Sequence, residues 1–189
     1  MRETQKTDEE IARFVQSGDI EAFGLLVKRY EAKLKRYGRR FLSGDQAGVE
    51  DVVQEAFLKA YENIRSFDSS KKFSPWLYRI AHNEFVNVLR KKKPLLFFGT
   101  DIFFPHPIAK EQADKEANFQ ETRKLIDKCL KGLDLKYKEP LILYYFEELD
   151  YKEIADILRI PISTVGVRLK RGKELIKNVC EKSNGTPYE

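Results

Sequence analysis

The sequence is poor in cysteine. Its 189 residues include only Cys129 and Cys180, which lie far apart and form no CxxC pair. Disulfide-stapled domains and structural zinc sites both need several cysteines, or cysteines with histidines, at close and regular spacing. The sequence therefore predicts no disulfide framework, no bound metal and no cofactor, and it fits the reducing environment of the cytoplasm.

Long apolar runs are absent as well. No window approaches the roughly 18 apolar residues that a transmembrane helix needs. The N-terminal residues MRETQKTDEE carry no apolar stretch after their charges, so no signal peptide is indicated. We expect a soluble, unprocessed, cytoplasmic protein that does not insert into a membrane.

The excess of positive charge is small. Lysine and arginine number 35 against 30 aspartates and glutamates, which gives a net charge of +5. Such an excess is compatible with a polyanionic partner but does not establish one. The sequence also shows no nucleophile–base pair, phosphate-binding loop or metal cluster, so we expect neither enzymatic activity nor a small-molecule substrate.

Apolar residues recur at helical spacing along most of the chain, and no alternating strand pattern of convincing length appears. We therefore predict an all-α protein. Ser74 and Pro75 fit the N-cap and the first position of a helix. Helices are predicted over residues 11–15, 23–41, 49–64, 75–91, 119–130, 138–147, 152–158 and 164–179.

The stretch between the fourth and fifth predicted helices holds three of the seven prolines and no sustained periodicity. It predicts a linker between two small helical domains. Its apolar segment LLFFGTDIFFP is expected to pack against these domains, with a purely local cluster as the alternative. The predicted parts are a first domain at 1–93, a linker at 94–115, a second domain at 116–182 and a disordered tail at 183–189.

The last two predicted helices have the spacing of a helix-turn-helix unit. YKEIADIL forms the first helix, RIPI forms the turn, and Ser163 is the expected N-cap of a longer basic helix. The alternative is a generic amphipathic helix pair with a solvated basic face. The residues expected to face the major groove or its flanking phosphates are Thr164, Gly166, Val167, Arg168, Lys170, Arg171 and Lys173.

Three segments together give the sequence a specific resemblance. DVVQEAFLKAY (51–61), SFDSSKKFSPWLYRIAHNEFVNVLRKKK (66–93) and EIADILRIPISTV (153–165) resemble, in order and spacing, regions two and four of the extracytoplasmic-function sigma factors, group 4 of the sigma-70 family. The resemblance implies an alternative sigma factor that binds core RNA polymerase and promoter DNA in transcription initiation. It further implies a role in a stress or envelope response and control by an anti-sigma factor.

The resemblance also implies roles for particular residues. Asp51, Gln54 and Glu55 match the docking surface for core polymerase, although a solvated acidic patch or a metal-dependent nuclease site with Glu50 stays open on the residues alone. Asn83 matches the position in the pocket that captures a melted base, and the loop before its helix shapes that pocket. The residues implied to bind the minus-ten element are Ser69, Ser70, Lys71, Lys72, Asn83, Arg90, Lys91 and Lys92.

The recognition helix departs from the family pattern. The family usually has a basic residue and then a small hydroxyl residue after the Thr-Val pair, whereas here Gly166 and Val167 follow that pair. Neither side chain can form a bidentate hydrogen bond with a base edge. We therefore expect a shallow preference at the minus-thirty-five element that depends mainly on Lys170 and Arg171. The alternative function, a stand-alone helix-turn-helix regulator, would leave the two N-terminal segments unexplained.

Overall fold

The computed structural model describes residues 6–42, 48–92 and 116–184. These residues form α-helices and two short 3-10 turns, with no strand among them, which confirms the predicted all-α class. No helix in the described ranges is long and apolar enough to cross a membrane. The linker with its apolar segment and residues 185–189 lie outside the described residues. The helices are α1 Asp8–Gln16, α2 Ile20–Leu42, α3 Val49–Asn63, α4 Phe73–Lys92, α5 Glu116–Cys129, α6 Leu135–Tyr145, α7 Tyr151–Leu158 and α8 Ile162–Asn184.

The first module consists of α1 to α4, which pack around a core rich in aromatic rings. Tyr37 lies with its ring centroid 5.6 Å from that of Phe41 and 5.7 Å from that of Phe85. All three side chains are fully buried, and their edge-to-face and tilted contacts are the arrangements that aromatic pairs prefer. Gly38 in α2 leaves room for the ring of Phe85.

The start of α4 depends on a distant residue. The helix begins at Phe73, and the amide nitrogen of Phe73 donates to Oε1 of Glu9 in α1 at 2.9 Å. A carboxylate satisfies a free amide at a helix N-terminus and interacts favourably with the helix dipole. The expectation that Ser74 caps this helix is therefore wrong, because Ser74 already lies inside it.

The second module consists of α5 to α8, and its last two helices form the predicted helix-turn-helix unit. Asp150 and Glu153 close a reciprocal capping box at the start of α7, and Arg159 ends that helix in the left-handed region with φ 53°. The carbonyl of Pro161 accepts amides from the first turn of α8. Because α8 begins at Ile162, two residues earlier than expected, Ser163 lies inside the helix and is not its N-cap.

The structure corrects the expectation for cysteine. Cys129, the last residue of α5, is disulfide-bonded. Sequence spacing does not indicate such a bond, because it depends on which parts of the chain the tertiary fold brings together.

The two modules pack directly against each other. Helix α4 lies against α7, and α2 lies against α6. The buried apolar side chains of both modules form one continuous cluster. This contact places the second module over part of the first one.

Gly38 provides a test of the first module's core. A Cβ atom at Gly38 would lie 2.3 Å from Cζ of the buried Phe85, so Gly38→Ala should lower the free energy of unfolding by about 1–3 kcal/mol. Gly24 in the same helix has nothing within 4 Å of that position, so Gly24→Ala should raise stability by about 1 kcal/mol. Urea unfolding followed by circular dichroism measures both changes. Equal effects of the two substitutions would contradict this packing.

Candidate nucleic-acid interface

The outward face of α3 carries the residues expected to dock on polymerase. Asp51, Gln54 and Glu55 are all exposed, while the opposite side of the helix buries its valines, alanines and Phe57 in the core. Glu55 lies 3.4 Å from Lys59 of the next turn, and this exposed ion pair does not hold the Glu55 side chain firmly. Packing of the opposite side of α3 in the core thus fixes the position of this face, while its polar groups stay accessible.

An apolar groove of about 560 Å³ runs beside this face, between α2 and α3. Its lining includes Phe23, Val27, Phe57 and Leu58, together with Gln54 from the polar face. Leu58 is 58% exposed. Sequence analysis missed this groove because its two walls come from different helices. A helix laid along α3 would contact both apolar and polar groups.

The loop before α4 is a short, internally bonded turn. The carboxylate of Asp68 accepts hydrogen bonds from the amide and the hydroxyl of Ser70 at 3.0 and 2.7 Å. The Ser70 hydroxyl, followed by the Ser70 amide, lowers the pKa of Asp68. Ser70, Lys71 and Lys72 are exposed, and Ser69 is half-buried. The turn therefore has a defined backbone and presents polar and cationic side chains.

A cavity of about 820 Å³ lies between this loop, the start of α4 and α7. Trp76 and Arg79 of α4 line it, although the sequence analysis included neither among the minus-ten residues. Their spacing of three on one helix, next to the loop, was the available signal. From the second module, α7 and its N-cap residue contribute Lys152 and three carboxylates. Those carboxylates belong to Asp150, Glu153 and Asp156.

The other expected minus-ten residues lie further along α4. Asn83 is exposed and sits one turn beyond Arg79 on the same side of the helix, but it is not among the residues that line the described cavity. Arg90 and Lys91 are exposed near the C-terminal end of α4. The side chain of Lys92 lies outside the description.

The structure divides the expected recognition residues of α8 into two groups. Lys170 and Arg171 are exposed, whereas Gly166, Val167 and Lys173 are half-buried. The hydroxyl oxygen of Thr164 is buried and has no hydrogen-bond partner among the described residues. Arg168 is half-buried, and its charge acts on the buried carboxyl of Glu139. The two exposed cations are thus the side chains best placed to reach a DNA groove.

Buried polar groups occupy the contact between the modules. Nδ1 of His82 lies 3.3 Å from the Tyr37 hydroxyl and 3.7 Å from Oε1 of Glu139. Burial raises the pKa of Glu139 to about 8 and lowers the pKa of His82 to about 4. Both groups are therefore uncharged at neutral pH, and their contact is a neutral one and not a salt bridge. Nearby, the Tyr78 hydroxyl donates to Glu147.

Charged contacts surround this buried centre. The guanidinium of Arg40 lies 3.9 Å from the ring centroid of Phe146 and donates from Nε to Asp127 at 2.9 Å. Lys72 donates to Oε1 of Glu153 at 2.7 Å, and this bond raises the pKa of Lys72. Cations of the first module thus meet carboxylates and an aromatic ring of the second.

Comparisons with known proteins identify two conserved regions, one in each module. Residues 26–94 match the family model for sigma-70 region 2, and residues 123–176 match that for sigma-70 region 4. The chain is 37% identical over 172 residues to the ECF RNA polymerase sigma factor SigW of Bacillus subtilis, which covers 86% of this chain and 91% of that protein. It is 36% identical over 183 residues to the ECF RNA polymerase sigma-E factor of Escherichia coli K12, with 92% and 94% covered. The solved structure of CnrH in complex with the cytosolic domain of CnrY shares the fold, with a TM-score of 0.69 and 24% identity over 94% of this chain and 99% of that one.

The buried pair generates a prediction on pH. The pKa of Glu139 is raised from 4.5 to about 8, so its contribution to stability is present below pH 4.5 and is lost as the pH rises through 8. The pKa of His82 is lowered from 6.5 to about 4, so its contribution is present above pH 6.5 and is lost as the pH falls through 4. The two effects oppose each other at acidic pH. Between pH 6.5 and 8 the Glu139 effect remains, and stability should fall as the pH rises.

Glu139→Gln tests this assignment because glutamine keeps the shape and does not ionise. The melting temperature of the unmodified chain should fall between pH 6.5 and 8, and that of the variant should fall less. Glu121→Gln, at an exposed position of α5, is the control and should behave like the unmodified chain. If the melting temperatures of all three proteins change in parallel with pH, the Glu139 carboxyl is not the group that loses a proton in this range.

Proposed function

The chain belongs to the extracytoplasmic-function group of RNA polymerase sigma factors, and from this premise we propose how its surfaces divide the work of promoter recognition. The first module docks on core RNA polymerase and reads the minus-ten element, and the second reads the minus-thirty-five element. The observation that carries this proposal is the exposure of three separate polar surfaces, on α3, on the loop before α4 and on α8.

In this proposal, α3 is the surface that docks on core polymerase. Its exposed acidic and amide groups are suited to a basic partner helix, and the adjacent apolar groove provides area that loses water on binding. A rigid helix loses little conformational entropy when it docks. Binding at this face leaves the loop before α4 and the recognition helix free for DNA.

In this proposal, the melted DNA strand is bound by the loop residues Ser70, Lys71 and Lys72. Cationic groups hold the backbone, hydroxyls can read a base edge, and an aromatic side chain such as Trp76 supplies an apolar wall. The carboxylates of α7 line the same cavity and would repel phosphates. DNA binding at the loop therefore requires that the modules separate.

Core polymerase provides that separation in the proposed mechanism. Two modules that each contact a small stretch of DNA bind weakly alone, and fixing their spacing converts two weak contacts into one effective site. The chain acts in the cytoplasm with polymerase and carries out no chemistry of its own. An anti-sigma factor, the partner expected from the family, would keep the modules closed.

Reconstitution with core RNA polymerase tests the function. Sequencing the 5′ ends of transcripts should reveal start sites that share a pair of upstream elements and that core polymerase alone does not use. Tight binding of a palindromic operator by a dimer of the free chain, with no shared start sites, would instead favour a stand-alone regulator.

Charge reversal on α3 tests the docking surface. Asp51→Lys combined with Glu55→Lys should weaken binding to core polymerase by at least about tenfold, because like charges would then face a basic partner. Both side chains are exposed, so the circular dichroism spectrum should not change. Glu121→Lys combined with Glu174→Lys makes the same change in net charge at exposed positions of the second module, and it should leave core binding intact. Loss of binding in both variants would indicate a general charge effect.

Substitution on α8 tests the recognition face. Arg171→Ala should flatten the base preference at one or two minus-thirty-five positions by about 1–3 kcal/mol in a randomised-promoter assay. Lys177 is exposed nearer the end of α8, and we assign it to a flanking phosphate. Lys177→Ala should therefore weaken binding to all sequences about equally, because a phosphate contact carries no sequence information. If the base preference of the Arg171 variant is unchanged, residues on another face of α8 must contact the bases.

A further inference from the structure

Helix α1 lies outside the part of the chain that matches sigma-70 region 2, which begins at residue 26. It nevertheless contacts both ends of the loop that precedes α4. One contact comes from Gln16 at the end of α1, and the other comes from Glu9 in its first turn. Seven residues separate these two positions, so they lie two turns apart on one face of the helix.

Gln16 holds the beginning of the loop. Its Nε2 atom donates to the carbonyl oxygens of Ile64 and Phe67, each at 2.8 Å. These carbonyls lie at the start of the 3-10 turn Ile64–Ser66 and immediately after it. Because a side-chain amide nitrogen has two hydrogens to donate, one residue fixes the direction in which the chain enters the loop.

Glu9 holds the end of the loop. Its Oε1 atom accepts a hydrogen bond from the Phe73 amide at 2.9 Å, and this bond fixes the point at which the chain enters α4. The rings of Phe67 and Phe73 are buried, with centroids 5.3 Å apart. Trp76 packs against both rings, with centroid distances of 5.2 and 5.4 Å. The two anchored ends are thus also joined through an aromatic cluster.

Between the anchors only residues 68–72 remain, and the Asp68 turn already orders them. A recognition site needs its contacting groups held to within about 0.5 Å of the productive geometry. We propose that Glu9 and Gln16 are positioning residues for minus-ten recognition, which act by fixing the two ends of this loop. The inference rests on the proposed role of the loop in promoter recognition.

The experiment measures base preference at the minus-ten element. The ratio of transcription from a matched promoter to that from a minus-ten mismatch is compared for the unmodified holoenzyme and for holoenzymes with Glu9→Ala or Gln16→Ala. Each variant should lose about five- to tenfold in this ratio, the equivalent of one to two hydrogen bonds. Affinity for core polymerase and helix content should stay unchanged, which separates positioning from a general loss of structure.

Two further variants sharpen the result. Glu9→Gln keeps an acceptor oxygen opposite the Phe73 amide and should restore most of the preference. Arg13→Ala, at an exposed position of the same helix, should have no effect. If Glu9→Ala and Gln16→Ala both lose helix content or core binding, the two residues are structural and the proposal is wrong.

A loop variant separates this inference from the function on which it rests. Lys71→Ala combined with Lys72→Ala changes the loop directly and should also reduce the preference. If that variant keeps the full preference, the role of the loop in promoter recognition fails. If it reduces the preference while Glu9→Ala and Gln16→Ala do not, the loop functions without the α1 anchors, and only the positioning role is overturned.

Discussion

Packing between the two modules controls which surfaces of the molecule are accessible. Helix α4 lies against α7, and the cavity beside the loop has α7 carboxylates along one wall. The buried centre of the contact is polar: Glu139 and His82 are held uncharged by burial, and one oxygen of Glu147 has no hydrogen-bond partner among the described residues. Burial of ionisable groups costs free energy that apolar packing would not. The contact between the modules thus combines one continuous apolar cluster with polar groups that are buried inside it.

Glu153 shows how the contact can open without damage to the recognition unit. Its Oε2 atom accepts from the Asp150 amide in the capping box of α7, and its Oε1 atom accepts from Lys72 of the first module. Lys72 is 69% exposed in this pair, so the ion pair stabilises the closed form by less than about 1 kcal/mol. In the proposed function, a DNA phosphate replaces the carboxylate as the partner of Lys72 at little cost. The cap of α7 is local and persists after Lys72 has left.

Local patterns in the sequence were sufficient to predict the helices, the outward residues of α3 and two exposed cations of α8. Asp51 and Arg171 are exposed as their helical spacing requires. Features built from distant residues were not predictable in this way. The cap of α4 comes from Glu9, 64 residues before Phe73, and α7 reaches the loop cavity only through the packing of the modules. The buried hydroxyl of Thr164 likewise depends on tertiary contacts that helical spacing does not encode.

In the proposed function, the geometry of α8 makes the shape of the loop before α4 important for selectivity. Lys170 and Arg171 are exposed cations of the recognition helix and Gly166 offers no side chain to a base edge, so few groups on α8 can distinguish bases. In the proposed function, discrimination then depends mainly on the second contact with the promoter, which we assign to the loop before α4. A loop selects among bases only if its groups are already in place when the base arrives, since ordering them on binding consumes part of the binding free energy. The internal bonds of Asp68 and the two contacts from α1 supply that order within the first module.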